Sequence, residues 1–315
     1  MERRALGQSG IQVSEISFGG VEIGMPYIDD HIPSEKESVW LLRQAVDQGI
    51  NSFDTARAYG LSEYLMGKAF QDIRSQLVIS TKPSHFLDKR GQLPDQNTFE
   101  RLIDKSLSES LKALATDYID IYMLHQANAQ IINSTMISDK LHTLKELGII
   151  RAIGISTYEA GDTKMAINHP TWEVIQLPFN LLNQEHGKLF HLADQMEVGI
   201  IIRSVLCRGL LSSWDIRWHK ALNEIQNHLK RMKSKFGTTW PNLSALATKF
   251  ALSYDSILSV LVGIDKMEYL NMAGEVANGN YLSDESRMEI EKMAFPRPDF
   301  LNIHQWIANG WLAPS

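Results

Sequence analysis

The sequence predicts one (β/α)8 TIM barrel, an α/β fold, and three observations favour it. Eight short apolar or β-branched runs alternate with segments of helical period. The runs are apolar enough to be covered on both faces, which is typical of a parallel sheet. No stretch of the 315 residues has the composition of a linker, so we expect a single barrel domain over residues 1–315 rather than two domains.

The predicted elements follow one another evenly along the chain. The eight strands cover residues 13–19, 50–54, 77–81, 118–124, 150–155, 173–177, 198–203 and 257–263. Helical periodicity is clearest at residues 36–48 and 98–114. Ser34 and Glu37 form a predicted capping box in front of the first of these two helices. Strands and helices therefore alternate as a barrel requires.

Three helix-to-strand junctions share the dipeptide Gly-Ile. They begin at Gly49, Gly148 and Gly199. Because glycine adopts left-handed backbone at no steric cost, we expect each of these glycines to end a helix and lead into a buried strand. An open, doubly wound sheet is the alternative fold. It is disfavoured because no G-x-G-x-x-G motif follows any predicted strand, the glycines within residues 19–24 having the wrong spacing.

Composition and charge exclude several classes of function. The 31 Lys and Arg residues and 37 Asp and Glu residues give a net charge of −6, so nucleic acid is not an expected partner. The single cysteine, Cys207, excludes an intrachain disulfide and a cysteine-built metal cluster, and we expect no metal site. We expect no secretory signal, and no apolar run is long enough for a membrane span. We therefore expect a cytoplasmic protein without a membrane partner.

Four polar side chains follow three consecutive predicted strands. Asp54 ends the second strand, and Tyr59 comes five residues later. Lys82 ends the third strand and His125 the fourth. The chemistry of a (β/α)8 barrel lies at the C-terminal ends of its strands, so we expect the four to meet at one rim. Each alone also fits a structural role, as a cap, a wall residue or an ion pair, but four at one rim favour a catalytic site.

These four residue types suit proton donation to a carbonyl. A lysine ammonium beside Tyr59 is expected to lower the pKa of its phenol, and Asp54 is expected to keep Lys82 charged and in place. His125 is expected to hydrogen-bond to the substrate oxygen or to relay the proton. Because no side chain donates hydride, a reductase with this site needs a nicotinamide cofactor.

The motifs that contain these residues resemble those of the aldo-keto reductases, from about residue 3 to the C-terminus. The resemblance is carried by F-D-T-A-x-x-Y-G-x-S-E at 53–63, S-T-K at 80–82, D-Y-I-D-I-Y-M-L-H at 117–125, G-I-S at 154–156, Gln176 and L-C-R-G-L-L at 206–211. It implies a (β/α)8 barrel that reduces aldehydes or ketones reversibly with NAD(P)H. It also implies that Tyr59 is the general acid, that Asp54 and Lys82 tune it, and that His125 orients the carbonyl.

The resemblance further implies the residues that bind the cofactor. They are Ser156, Thr157, Gln176, Arg203, Ser204, Leu206, Arg208, Gly263 and Lys266. Two of them depart from the family pattern. Thr157 replaces the usual Asn at the nicotinamide carboxamide, and Arg203 stands where an aromatic ring often stacks on the nicotinamide. A guanidinium can also stack on a ring and adds positive charge beside it. Arg208 is expected to pair with the pyrophosphate.

NADP(H) is the cofactor that the family favours, but the residues after the eighth strand weaken this expectation. Tyr269 stands near a common Arg or Gln position, and Met272-Ala273 replaces the usual Glu-Asn at the adenine. Lys266 remains as the obvious partner of a 2′-phosphate, with Asp265 directly before it. NAD(H) therefore stays open as the cofactor.

The loops at the same rim are expected to shape the pocket for a small carbonyl or alcohol substrate. Two of the candidate segments are residues 20–34, with Met25, Tyr27 and His31, and residues 212–240, with Trp214, Trp218 and Trp240. Single candidates between them are Arg57, His85, Phe86, Gln126 and Asn128. The tail at about 295–315, with Trp306 and Trp311, is expected to lie over the barrel mouth. The polar residues Gln126 and Asn128 beside His125 favour a sugar or polyol over a hydrophobic aldehyde. Thiol modification of Cys207, within the predicted pyrophosphate loop, is expected to block cofactor binding.

Three other functions stay open at this point. The first is an aldose or polyol dehydrogenase that works mainly with NAD in the oxidative direction. The second is a Schiff-base lyase with Lys82 as nucleophile, which Asp54 disfavours because a carboxylate partner keeps the amine protonated. The third is a regulatory subunit that binds the cofactor without catalysis, which the intact set of four residues disfavours. The sequence does not predict an oligomeric state.

Overall fold

The computed structural model describes residues 1–27, 31–125, 127–212, 219–237 and 242–311. Ten strands lie in these ranges. They are β1 (Arg3–Ala5), β2 (Gln12–Ser14), β3 (Ile16–Gly19), β4 (Ser52–Asp54), β5 (Val78–Thr81), β6 (Ile119–Leu124), β7 (Ile150–Ser156), β8 (Val174–Pro178), β9 (Gly199–Arg203) and β10 (Ile257–Gly263). Strands β3 to β10 are parallel and close into a barrel in the order β10-β3-β4-β5-β6-β7-β8-β9. The predicted barrel is confirmed, and the open sheet is wrong.

Each of the eight predicted strands corresponds to one barrel strand. The first prediction, residues 13–19, is divided by Glu15 into β2 and β3. Strand β2 pairs with β1 in a separate two-stranded antiparallel sheet. Glu15 is fully buried, and its carboxylate accepts hydrogen bonds from Arg4 at 2.7 Å and from the Tyr281 hydroxyl at 2.6 Å. A buried carboxylate satisfied in this way marks the division between this sheet and the barrel.

Helices connect the strands and cover the barrel. They are α1 (Val21–Gly24), α2 (Glu35–Asp47), α3 (Ser62–Phe70), α4 (Gln96–Ala113), α5 (Ala129–Ile132), α6 (Thr135–Glu146), α7 (Ala160–Ile167), α8 (Phe190–Gln195), α9 (Asn223–Phe236), α10 (Leu243–Leu252), α11 (Met267–Val276), α12 (Asp284–Glu291) and α13 (Ile303–Ala308). Short 3₁₀ turns lie at Gly7–Ser9, Arg74–Gln76, Glu185–Leu189, Lys220–Leu222 and Pro298–Phe300. The capping box of Ser34 and Glu37 is present at the start of α2. Among the described helices, none has the length and apolar character that a membrane span needs.

Two of the three Gly-Ile junctions have the predicted backbone. Gly49 follows α2 with a φ of 94°, and Gly148 follows α6 with a φ of 72°. The prediction for Gly199 is wrong, because this residue is already the first residue of β9 and Glu197 takes the left-handed conformation with a φ of 53°. Gly199 has a different steric role. A Cβ atom there would lie 2.7 Å from the side chain of Leu6, which packs against the strand.

Apolar side chains pack on both faces of the barrel wall. The inner set is Leu6, Ile11, Val13, Val78, Ile121, Met123, Ala152, Val174 and Ile201. A larger cluster fills the space between the strands and the surrounding helices. Because side chains alternate along a strand, the inner set also identifies which later residue of each strand points toward the barrel axis.

Candidate active site

The inward positions at the C-terminal ends of the strands carry most of the predicted site. Five strands each carry a buried apolar residue that points toward the barrel axis: Val78, Met123, Ala152, Val174 and Ile201. Two or four residues farther along the chain, and so on the same side of each strand, are Lys82, His125, Ser156, Gln176 and Arg203, in the same order. Asp54 holds the same phase on β4. The two-residue period of a strand therefore brings these six side chains to one end of the barrel.

Three of these side chains form one buried hydrogen-bonded group. Nζ of Lys82 lies 2.6 Å from Oδ1 and 2.7 Å from Oδ2 of Asp54, and 3.2 Å from the carbonyl oxygen of Thr55. Nε2 of Gln176 donates to Oδ1 of Asp54 at 2.8 Å. Burial lowers the pKa of Lys82, and the Asp54 carboxylate opposes this effect. The predicted pairing of Asp54 with Lys82 is therefore present in the structure.

Tyr59 lies in the tight loop between β4 and α3. The Nζ atom of Lys82 is 5.3 Å from the centre of its ring, and the ring of His125 meets it edge-on at 5.6 Å. Glycines hold this loop in place: Gly60 has a φ of 55°, and a Cβ on Gly24 would overlap the carbonyl oxygen of Tyr59. The phenol, the amine and the imidazole therefore face one another, as predicted.

The phenol of Tyr59 differs from expectation in its acidity. Burial, and next the Asp54 carboxylate, raise its pKa well above the usual value. The prediction that Lys82 lowers this pKa is wrong for the geometry seen here, since the ammonium is taken up by Asp54. Among its described neighbours, the Arg203 guanidinium is the cation that acts to lower it. The phenol is therefore protonated at neutral pH and able to donate a proton.

His125 is neutral in this setting. Burial lowers the pKa of its imidazole to about 3, and the charges of Lys82, His85 and Arg203 act in the same direction. The ring also stacks on His85 with centres 5.5 Å apart. A neutral imidazole carries one N–H, so His125 can donate a hydrogen bond to an oxygen but is a poor source of protons near pH 7.

A cleft of about 720 Å³ extends from these residues across the mouth of the barrel. Seven predicted cofactor residues line it: Ser156, Gln176, Arg203, Ser204, Leu206, Arg208 and Gly263. Its far end is formed by Asp265 and the α11 residues Tyr269, Met272 and Ala273. A cleft of this size and length suits an extended ligand.

The other two predicted cofactor residues do not line the cleft. Thr157 has the opposite strand phase to Ser156, and its hydroxyl accepts a hydrogen bond from Thr163 of α7 at 2.7 Å. Lys266 directly precedes α11, and its Nζ lies 5.8 Å from the ring centre of Tyr269. Asp265, the residue before it, faces the cleft instead. Neither side chain lines the cleft, and the roles of Thr157 and Lys266 in cofactor binding stay predictions from the sequence.

The loop after β9 has an unusual backbone. Ser204, Cys207 and Arg208 have φ values of 59°, 48° and 51°, which residues other than glycine seldom adopt. Such backbone strain concentrates at functional sites. The Arg208 guanidinium lies 4.1 Å from the ring centre of Tyr27. Cys207 is buried, and burial raises the pKa of its thiol to about 12, so the predicted thiol modification is disfavoured.

Residues 15–294 match the family model described as "Aldo/keto reductase family". The chain belongs to the aldo/keto reductase family. It is 35% identical over 223 residues to aldo-keto reductase YhdN of Bacillus subtilis (strain 168), covering 67% of this chain and 64% of the relative. It is 30% identical over 282 residues to L-galactose dehydrogenase of Arabidopsis thaliana, covering 85% of each chain.

A solved structure supports the same assignment. The holo form of aldo-keto reductase AKR11C1 from Bacillus halodurans superposes with a TM-score of 0.79 at 26% identity, covering 93% of this chain and 96% of that one. The resemblance stated from the sequence is confirmed, and so is the barrel. The protein is therefore an oxidoreductase of this family.

Several residues that line the cleft of this aldo/keto reductase were not singled out in the sequence. Glu22, Tyr158, Asn180 and His186 all line the cleft. Burial, together with the nearby Asp265 carboxylate, raises the pKa of Glu22 to about 8. Glu22 alone had a usable signal, since it follows the inward end of β3 by three residues. The others lie on loops whose path depends on the assembled barrel.

The loops predicted to shape the substrate pocket contribute unequally. Tyr27, His31 and Trp306 line the cleft, and Trp306 is fully buried there. Asn128 instead caps α5 by accepting from the Ile131 amide at 2.9 Å, and Arg57 forms ion pairs with Glu63 and Glu109. Gln126, Trp214, Trp218, Trp240 and residues 312–315 of the tail lie outside the described residues.

Within the described ranges, no group of three His, Cys, Asp or Glu side chains is placed to hold a metal ion.

Proposed function

We propose that this protein reduces an aldehyde or ketone to the alcohol, reversibly and with a nicotinamide cofactor, and that Tyr59 is the general acid. One arrangement carries the proposal: the protonated, partly buried phenol of Tyr59 lies edge-on to the neutral imidazole of His125, at the end of an extended cleft. Family membership supports the reaction class. The role of each residue follows from its contacts and its charge.

His125 and Tyr59 divide the work at the carbonyl oxygen. The N–H of neutral His125 donates a hydrogen bond that orients the carbonyl. The Tyr59 hydroxyl donates its proton to the oxygen as the carbon receives hydride, so the carbonyl becomes an alcohol and the phenol a phenolate. The Arg203 guanidinium, which acts to lower the pKa of Tyr59, is the described cation that stabilises this phenolate. The hydride is the chemistry that a nicotinamide cofactor supplies when bound.

The residues of the cleft fit such a cofactor. Ser156 and Gln176 offer a hydroxyl and an amide to a carboxamide. The Nε atoms of Arg203 and Arg208 are buried, and neither has a hydrogen-bond partner among the described residues. Because a buried donor without a partner is costly, both atoms are suited to a polar ligand. Arg208 in particular is suited to a diphosphate.

The charges at the far end of the cleft favour NAD(H) as an accepted cofactor. Asp265 lines this end, whereas Lys266 does not. A carboxylate suits ribose hydroxyls and repels a 2′-phosphate. We expect kcat/KM with NADH to be within tenfold of the value with NADPH, or above it, in steady-state assays with one carbonyl substrate. A hundredfold preference for NADPH would contradict the role given to Asp265.

The direct test of the proposed function is oxidation of NADH and NADPH by the purified protein, followed by absorbance, across a panel of aldoses, phosphorylated aldehydes and aromatic aldehydes. Turnover that requires both a carbonyl and a reduced cofactor supports the proposal. Failure with every member of the panel, together with failure to oxidise the matching alcohols, would refute it.

A sugar or polyol as the substrate is supported by the likeness to L-galactose dehydrogenase. Asn128 does not support it, because its side chain is occupied in capping α5.

The pH dependence provides a separate test of the two roles. His125 stays neutral above about pH 4, because its pKa is about 3, and Tyr59 stays protonated because its pKa is raised. We therefore expect kcat for carbonyl reduction to be level between about pH 5 and pH 8. An acid limb near pH 6.5 that disappears in His125→Asn would contradict a neutral imidazole.

The alternative functions are weaker on the same geometry. Lys82 is held by three oxygen atoms, which disfavours its use as a Schiff-base nucleophile. An aldose or polyol dehydrogenase running in the oxidative direction remains compatible with the same residues, as the name of one relative illustrates. A regulatory subunit without catalysis predicts cofactor binding with no turnover in the panel. Location in the cytoplasm stays a prediction from the sequence.

A further inference from the structure

Arg203 is a cation at the reactive end of the cleft, and its described contacts are with neutral groups. It is the last residue of β9, and one guanidinium nitrogen donates to the carbonyl oxygen of Thr157 at 2.9 Å. The other is 3.4 Å from the hydroxyl of Ser204, and the guanidinium lies 4.2 Å from the ring centre of Tyr158. Across the described ranges, no carboxylate is within ion-pair distance of Arg203. Its charge is therefore not neutralised by the residues described around it.

The effect of this charge extends across the site. The Arg203 guanidinium acts to lower the pKa of Tyr59, Lys82, His125 and His186. These groups come from four different segments of the barrel mouth. A single uncompensated cation therefore contributes to the potential of the whole reactive end.

The geometry also indicates where a nicotinamide ring would lie. Asp54, Lys82 and His125 end or follow β4, β5 and β6, on one half of the barrel mouth. Ser156 and Arg203 end β7 and β9, and Gln176 lies within β8, on the other half, and all three line the cleft. A ring that delivers hydride to a carbonyl held by the first half must rest on the second. Arg203 would then lie beside it.

We propose that Arg203 makes this protein bind the reduced nicotinamide cofactor in preference to the oxidised one. The inference rests on the proposed function. Hydride loss turns the neutral ring into a pyridinium cation: NAD(P)H, a carbonyl and a proton become NAD(P)⁺ and an alcohol. An adjacent guanidinium repels the pyridinium and leaves the neutral ring unaffected. One enzyme-bound state holds NAD(P)H and the carbonyl, and the other holds NAD(P)⁺ and the alcohol. The guanidinium shifts the equilibrium between them toward the first state, so oxidation of the alcohol is favoured at the site.

The test is a set of binding titrations that needs no substrate. The Kd values of NAD⁺, NADH, NADP⁺ and NADPH are measured by calorimetry for the wild type and for Arg203→Gln, Arg203→Met and Arg203→Lys. For the wild type we expect the oxidised form to bind more weakly than its reduced counterpart. The ratio of the two Kd values should fall about tenfold in the Gln and Met variants and stay within about threefold in the Lys variant, which keeps the charge.

Arg208→Gln is the matched control. Arg208 is expected to contact the diphosphate, which is the same in both redox forms, so its loss should weaken both equally and leave the ratio unchanged. An unchanged ratio in a folded Arg203→Gln or Arg203→Met variant overturns the inference but not the proposed function. Equal affinity of the wild type for both redox forms overturns it as well, even if neither variant folds. Failure of the wild type to bind any of the four nucleotides overturns the proposed function and the inference together.

Discussion

Replacing Tyr59 with phenylalanine is expected to lower kcat for carbonyl reduction by about a thousandfold, the typical contribution of a positioned general acid. The ring would still pack edge-on against His125, because only the hydroxyl is lost. Cofactor affinity should therefore change little. Single-turnover measurements of NADH or NADPH oxidation, with calorimetric binding of the same nucleotide, separate the two effects.

Tyr64→Phe is the matched control for this substitution. Tyr64 belongs to α3 and is 45% exposed, away from the cleft, so losing its hydroxyl should leave turnover within twofold of the wild type. If Tyr59→Phe retained more than a tenth of the wild-type kcat, another group would have to donate the proton. His125 is a poor substitute, because its pKa is about 3.

Replacing Lys82 with methionine is expected to destabilise the fold by about 3–5 kcal/mol, as is usual when one partner of a buried ion pair is removed. Lys82 is fully buried, and both carboxylate oxygens of Asp54 accept from its amine. Methionine leaves the Asp54 carboxylate with Gln176 as its remaining described side-chain donor. Denaturant unfolding of the wild type and the variant measures the difference.

The double variant Asp54→Asn, Lys82→Met provides the control for this prediction. If the cost of Lys82→Met comes from an unpaired buried charge, neutralising Asp54 as well should recover part of the lost stability. Strictly additive losses would show instead that each side chain contributes through packing alone. Gln176 can still donate to the oxygen of the amide that replaces the Asp54 carboxylate, so the third member of the group keeps a partner.

Much of the fold could be predicted because its signals are local. The apolar runs at 118–124 and 150–155 predict the buried strands β6 and β7, and Ser34 with Glu37 predicts the start of α2. Gly199 shows the limit of such reasoning. Its resemblance to the junctions at Gly49 and Gly148 is superficial, because the close approach of Leu6 comes from a distant part of the chain.

Half of the candidate site could be predicted in the same way. Asp54, Lys82 and His125 each end or directly follow a strand, and the fold rule places strand ends at one rim. Thr157 lies outside the cleft lining because a motif identifies neighbouring residues, whereas the strand period decides which of two neighbours points inward. Lys266 lies outside the cleft lining for a related reason, since at the start of α11 it is Asp265 that faces the cleft.

The amino-acid sequence by itself determined the family, the alternation of strands and helices, and the expectation that Tyr59 meets three residues from strand ends at one rim. Only the tertiary structure decided how their charges are shared. It pairs the Lys82 ammonium with Asp54, leaves the Tyr59 phenol protonated and, among the described residues, gives Arg203 neutral partners alone. The physical reason is that burial and the distances between charges on different strands control acidity, and both exist only once the barrel has closed.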